Sequence, residues 1–312
     1  MSPLLANDEH KVSNAIADFL SANGYNEIIT NSLTKNTNIK YEDTLKEENS
    51  VPIYNYLSED LNVLRQSMLI SGLEVIAYNV NRKQANLKFF ELGKTYKIEG
   101  DGYIEKMHLA IYLSGNNHTD SWVQKTEKID FYDLIPSVRN VFALVGITDY
   151  TIENCSDSTM DHAAVILDRQ GNELAKVGIL SQSLLRKVGI KQNTVYADID
   201  LDYLLKRKPK SITHKPISKF PEVRRDLSLV IDKKITFDTI LKCAMKNERK
   251  LIKDVTVFDI YEGDKIDNDK KAYALSFILH GQDKTLTDKV IDKSMNRLMQ
   301  SFEKELGAVI RK

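Results

Sequence analysis

FPEVRRDLSLVI at 220–231, VTVFDIYEG at 255–263 and KKAYALSFIL at 270–279 are short runs in which apolar residues alternate with polar or small ones. A period of two marks strands with one buried face. Between the first and second run, Phe237, Ile240, Leu241 and Ala244 recur at helical spacing within Thr236–Asn247. After the third, Thr285-Leu-Thr-Asp288 has the capping-box form and opens a helix with an apolar stripe of Val290, Leu298, Phe302 and Leu306. Gly307 closes that helix, and AVIR at 308–311 makes a last short strand. The order β-α-β-β-α-β is that of a ferredoxin-like fold, whose helices cover one sheet face and leave the other open.

Strand parity sorts the two faces. Leu227, Leu229 and Ile231 share one face, with Phe258 and Ile260 and with Tyr273, Leu275, Phe277 and Leu279. The opposite set holds Asp226, Ser228, Val230, Val257, Asp259, Tyr261, Ala272, Ala274, Ser276 and Ile278. Its smaller and more polar members (Ser228, Asp259, Tyr261, Ala272, Ala274, Ser276) form a shallow surface with one ring and one carboxylate. Such a surface suits an unpaired base, which stacks on an aromatic ring for about 1–3 kcal/mol. It suits equally well a face packed on another protein surface.

Upstream, 8–23 reads as an amphipathic helix through Val12, Ile16, Phe19 and Leu20, and 25–34 as a strand. Residues 35–60 read as loop with a short strand at Val51–Leu57. A helix of about four turns carries Met68, Leu69, Leu73, Ile76 and Val80, interrupted only by Gly72. LKFFELGKTYKI (87–98) and KMHLAIYLSGN (106–116) are strands, Asp130–Val145 a helix, and 150–205 alternates strand and turn, with a short helix at 181–189 and VYADIDLDYLL as the final strand. The first part is therefore α+β with a largely antiparallel sheet. The expected domains are 1–205, a basic linker at 206–219 holding two of the six prolines, and 220–312.

The zero net charge conceals an asymmetry: 19 basic against 28 acidic residues in 1–205, six against none in 206–219, and 19 against 16 in 220–312. Non-specific nucleic-acid binding relies on many phosphate contacts, so this chain is no general polyanion or DNA binder. Cys155 and Cys243 are isolated thiols, as in a reducing cytoplasm. No apolar run is long enough to span a membrane, and no signal peptide follows Met1. Phosphate loops, zinc spacings and nucleophile elbows are all lacking, so no catalytic and no metal-binding residue is assigned. Asp161-His162 and the series Asp198, Asp200, Asp202 read as the wet face of an antiparallel sheet.

FPEVRRDLSLVI, LIKDVTVFDIYEG, KKAYALSFIL, KTLTD and LGAVIR, in that order and spacing, resemble the ferredoxin-fold anticodon-binding domain that closes bacterial phenylalanine–tRNA ligase β subunits. LRQSMLISGLEVIAYNVNR (64–82) with LKFFELGKTY (87–96) is similar to the class II synthetase-like core of the same family. The sequence departs from the family pattern in GILSQS (178–183) and in KKAYA, which puts Ala272 where a hydroxyl is common. The resemblance implies an α+β fold: an antiparallel class II synthetase-like core followed by a ferredoxin-like domain. It implies anticodon contacts at Ser228, Asp259, Tyr261 and Ala272, with RNA backbone contacts at Arg224, Arg225 and Lys271. Arg65 and Arg82 fall where a second-motif arginine is expected, without its complementary parts. The implied role is non-catalytic support of a catalytic α subunit in a cytoplasmic α2β2 enzyme that charges tRNA(Phe). That complete enzyme uses ATP and Mg2+; no cofactor is expected in this chain, which reads as a C-terminal fragment. The alternative is a protein–protein interaction module using its open sheet face.

Overall fold

The computed structural model describes residues 9–206, 218–263, 266–281 and 284–311. Apart from Lys206 and 218–219, the expected linker lies outside the described residues. Two compact units separate, Met1–Ser211 and Ile212–Lys312.

The first unit runs α1 (Glu9–Ala22), β1 (Asn26–Glu27), β2 (Leu33–Thr34), β3 (Val51–Pro52), β4 (Val63–Leu64), α2 (Leu69–Val80), β5 (Leu87–Glu99) and β6 (Gly102–Ser114). It continues with α3 (Phe131–Leu144), β7 (Tyr150–Cys155), β8 (Met160–Asp168), β9 (Glu173–Leu180), α4 (Gln182–Lys187), β10 (Thr194–Asp200) and α5 (Leu201–Lys206). Its main sheet has the order β1-β5-β6-β10-β9-β8-β7, and every pairing except β1 with β5 is antiparallel. Both faces are covered. Leu109, Ile111 and Leu113 of β6 and Val195, Ala197 and Ile199 of β10 pack with α1, α3 and α5. The alternate residues Ala110, Tyr112 and Tyr196 pack with α2 and α4 on the other side.

Four local readings change. The strand expected over 25–34 shrinks to Asn26–Glu27. Extended structure over Val51–Leu57 is confined to Val51–Pro52. The strand expected through Leu205 ends at Asp200, whose carboxylate accepts the Tyr203 N–H at 2.9 Å and so starts α5. Gly72 does not interrupt α2. A methyl there would lie 2.2 Å from the fully buried Tyr112 ring, whose hydroxyl donates to the Met68 carbonyl at 2.6 Å.

The second unit runs β11 (Val223–Asp232), α6 (Phe237–Asn247), β12 (Ile252–Tyr261), β13 (Lys270–Leu279), α7 (Asp288–Leu306) and β14 (Val309–Arg311), in sheet order β12-β13-β11-β14. Leu227, Leu229, Ile231, Tyr273, Leu275, Phe277 and Leu279 form its core with both helices. The N-cap of α7 is Thr287, without a side-chain cap bond, so the capping box read at Thr285 does not form. The buried stripe of α7 is Ile291, Met295, Leu298 and Phe302, and Val290 is exposed. Its C-cap is Gly307. Among the described residues no helix is long and apolar enough to cross a membrane.

Gly72→Ala is expected to destabilise the first unit by about 1–3 kcal/mol, the cost of overpacking. At an exposed helix position the same change stabilises by up to about 1 kcal/mol, so the sign is diagnostic. The urea midpoint, at unchanged slope, measures it.

Candidate functional site

In the first unit Arg65, Arg82 and the series Asp198, Asp200, Asp202 are engaged in contacts within the fold. Arg65 is 3% exposed; its Nη1 donates to Glu91 at 3.0 Å and its Nε to the Lys94 carbonyl at 2.9 Å. Glu91 also accepts the Thr30 N–H at 3.1 Å and the Thr30 hydroxyl at 2.8 Å. Arg82 lies at the end of α2 with its guanidinium carbon 3.4 Å from the Tyr78 ring centroid. Asp198 accepts from His108 at 2.7 Å, Asp200 pairs with Lys106 at 2.8 Å, and Asp202 accepts the Met107 N–H at 2.8 Å. Among the described residues no cluster of His, Cys, Asp and Glu could hold a metal ion. One carboxyl stands apart. Glu42 lines a small cavity with Ser67, Gln66 and Ile70, and its Oε1 has no partner. Burial raises its pKa from an ordinary 4.5 to about 7, against a hydrogen bond from Ser67.

In the second unit the unbroken β11–β13 register places Ser228 opposite Ala274, Asp226 opposite Ser276, and Val230 opposite Ala272. The β12–β13 register steps between Val257 and Asp259. Before the step Val257 opposes Leu275 and Thr256 opposes Ser276; after it Asp259 opposes Ala274 and Tyr261 opposes Ala272. Asp259 and Tyr261 therefore share the open face with Ser228 and Ala272, as parity predicts. Val257 does not: it joins the core, and Thr256 takes its place. Phe258 is the residue left unpaired by the bulge. Its ring lies 5.6 Å from the Arg224 guanidinium carbon, and Arg224 has the parity of Ser228. Phe258 thus stands on the open face rather than in the core, because a bulge turns two successive side chains to one side.

The open face is graded in exposure. Ala272 and Ser276 are its buried floor, Ser228 is half-buried, and Asp259 and Tyr261 are exposed. Tyr261 is 40% exposed, and a side chain at Gly263 would come within 2.7 Å of its hydroxyl, so glycine there leaves room for the ring. Asp259 has no hydrogen-bond or ion-pair partner among the described residues. Asp226 is held below the usual carboxylate range by Arg224, whose Nε and Nη2 donate to it at 2.8 and 3.1 Å. The other two expected cations are elsewhere. Arg225 pairs with Asp288 of α7 at 3.6 Å, and Lys271 lies 4.8 Å over the Tyr273 ring. Both have odd parity and so belong to the helix-covered side. β14 adds Arg311 opposite Ser228 and Val309 opposite Val230. Phe258 escaped parity because an alternating pattern carries no mark of a bulge; the adjacent apolar pair Val257–Phe258 is the one trace of it.

Residues 3–201 match the family described as phenylalanyl tRNA synthetase beta chain CLM domain, and residues 218–311 match the ferredoxin-fold anticodon binding domain. The chain is 37% identical to a phenylalanine–tRNA ligase β subunit of Bacteroides fragilis over 97% of its own length and 38% of the relative's. It is 38% identical to the β subunit of Bacteroides thetaiotaomicron over 99% and 40%. The chain thus spans about two fifths of the curated relatives it matches. A pyrrolysyl tRNA synthetase of Desulfitobacterium hafniense shares the fold, with a TM-score of 0.50 at 17% identity over 64% of this chain and 66% of that one. Together these matches bear out the α+β reading, with a class II synthetase-like core and a ferredoxin-fold domain.

A carboxyl with a raised folded-state pKa binds more protons folded than unfolded, so stability falls as pH rises from about 4.5 to about 7. Glu42→Gln is expected to flatten that slope in denaturation midpoints measured across the window.

Proposed function

Because this chain belongs to the phenylalanyl-tRNA synthetase β-chain family, we propose that it is the C-terminal region of a phenylalanine–tRNA ligase β subunit. In this reading 220–312 binds the tRNA(Phe) anticodon, 206–219 tethers it, and 1–205 supports the catalytic α subunit of an α2β2 enzyme in the cytoplasm. One observation carries the reading. The residues of the anticodon-binding family match fold into a sheet with one uncovered face, and that face presents Tyr261 and an unpartnered Asp259. The ring supplies a stacking surface for an unpaired base, and the carboxylate accepts hydrogen bonds from a base edge. Ala272 and Ser228 let the nucleotide approach, and Arg224 supplies the cation for the RNA backbone.

Ligation chemistry belongs to the α subunit in this proposal, with ATP and Mg2+ acting there. Among the described residues Arg65 is the one buried arginine, and its commitment to Glu91 and the Lys94 carbonyl does not fit an ATP site. No step is therefore assigned to them.

In the assembled enzyme, Tyr261→Ala is expected to raise the KM for tRNA about five- to hundredfold with kcat little changed, the loss of one stacked base. Asp259→Asn is expected to relax discrimination among anticodon variants more than it weakens binding. Equal aminoacylation at limiting tRNA by wild type and Tyr261→Ala would refute the stacking role. Reduced co-purification of the α subunit without any change in KM for tRNA would instead identify the face as a protein interface.

A further inference from the structure

We propose that Phe258 is a second base-stacking surface, so that the open sheet face holds two unpaired bases of one RNA loop rather than one. This rests on the anticodon reading of the face. All ten phenylalanines are described, and Phe258 alone is exposed, at 55%. Leaving a ring in water forgoes the burial that the other nine achieve in whole or part. The cause is local and specific. The register step between Val257 and Asp259 turns Phe258 out of the core that strand alternation would have given it.

The position suits a second base. Phe258 lies at the level of Leu275 and Ala274 on the neighbouring strand, whereas Tyr261 lies opposite Ala272. That separates the rings by roughly two residues of strand rise, about 7 Å, along one edge of the sheet. Asp259, unpartnered, sits between them, and the side chains beside it on β13 are alanines. Arg224 reaches the Phe258 ring from across the face, with its guanidinium oriented by two bonds to Asp226. An arginine fixed beside a stacking ring is placed to meet the phosphate that joins two stacked nucleotides. Two rings, a carboxylate between them and a fixed cation at the side form a platform for successive bases. A partner protein would gain little from the unpaired Asp259 at its centre, since an unsatisfied buried carboxylate is costly.

The test uses the complete β subunit assembled with its α subunit and compares Phe258→Ala, Phe258→Leu, Phe258→Trp and Tyr261→Ala. Phe258→Ala and Phe258→Leu are expected to raise the KM for tRNA about five- to hundredfold with kcat within about twofold, and Phe258→Trp to restore wild-type values. tRNAs with an abasic site at each anticodon-loop position in turn locate the base. At one position, distinct from the one coupled to Tyr261, the abasic change is expected to cost nothing further in Phe258→Ala. Wild-type behaviour of Phe258→Leu, or of Phe258→Ala while Tyr261→Ala is impaired, would overturn the second platform and leave the single-ring reading intact. No effect of either alanine variant would remove the anticodon reading itself. Impaired α-subunit assembly with normal KM would also overturn the proposal, by making Phe258 a protein contact.

Discussion

The second unit depends on the uninterrupted pairing of β11 with β13, which runs from Val223 opposite Leu279 to Asp232 opposite Lys270. These are the two central strands, and their register decides which side chains go under α6 and α7 and which stay out. A slip of one residue in either strand would exchange its faces, turning Ser228 or Ser276 under the helices and Leu227 and Leu229, or Leu275 and Phe277, to the open side. The apolar burial of these leucines and of Phe277 holds the register against that exchange. The open face is thus a by-product of core formation: two helices suffice to cover one side of a four-stranded sheet, and the other side stays open.

Against that unbroken centre, the edge strand β12 carries a register step that changes which side chains face outward. Its bulge lets Val257 finish the core while Phe258 and Asp259 both face outward. The first unit shows the contrasting solution. Its sheet is covered on both faces, so the polar groups within it must satisfy one another. Arg65 and Glu91 do so through six hydrogen bonds to each other, to Thr30 and to the Lys94 carbonyl. A buried pair of this kind contributes little net stability but penalises any arrangement that separates it. The consequence is a synthetase-type fold whose buried Arg65 and Glu91 are occupied with architecture.

Most elements were legible because each carries a periodic signal strong enough to survive tertiary context. The helices α1, α3 and α6 and the long strands β5, β6, β11 and β13 stand within a few residues of where periodicity puts them. The failures share a cause. Asp200 stops β10 by capping α5, Thr287 rather than Thr285 begins α7, and Val257 changes face at a bulge. Each is a choice between two locally acceptable geometries, settled by what lies across the chain. The two cations Arg225 and Lys271 differ in another way: the resemblance implies RNA backbone contacts there, while parity puts both on the helix-covered side.

The amino-acid sequence alone determined the ferredoxin-like order of the last ninety residues, the family to which they are similar, and the placement of Ser228, Asp259, Tyr261 and Ala272 on one face. It did so because strand alternation and helical spacing are properties of the chain itself. Only the tertiary structure decided that Phe258 joins that face, that Gly72 is demanded by Tyr112, and that Arg65 is spent on Glu91. Those outcomes follow from register, close packing and the pairing of buried charge, which are set by partners distant in the chain.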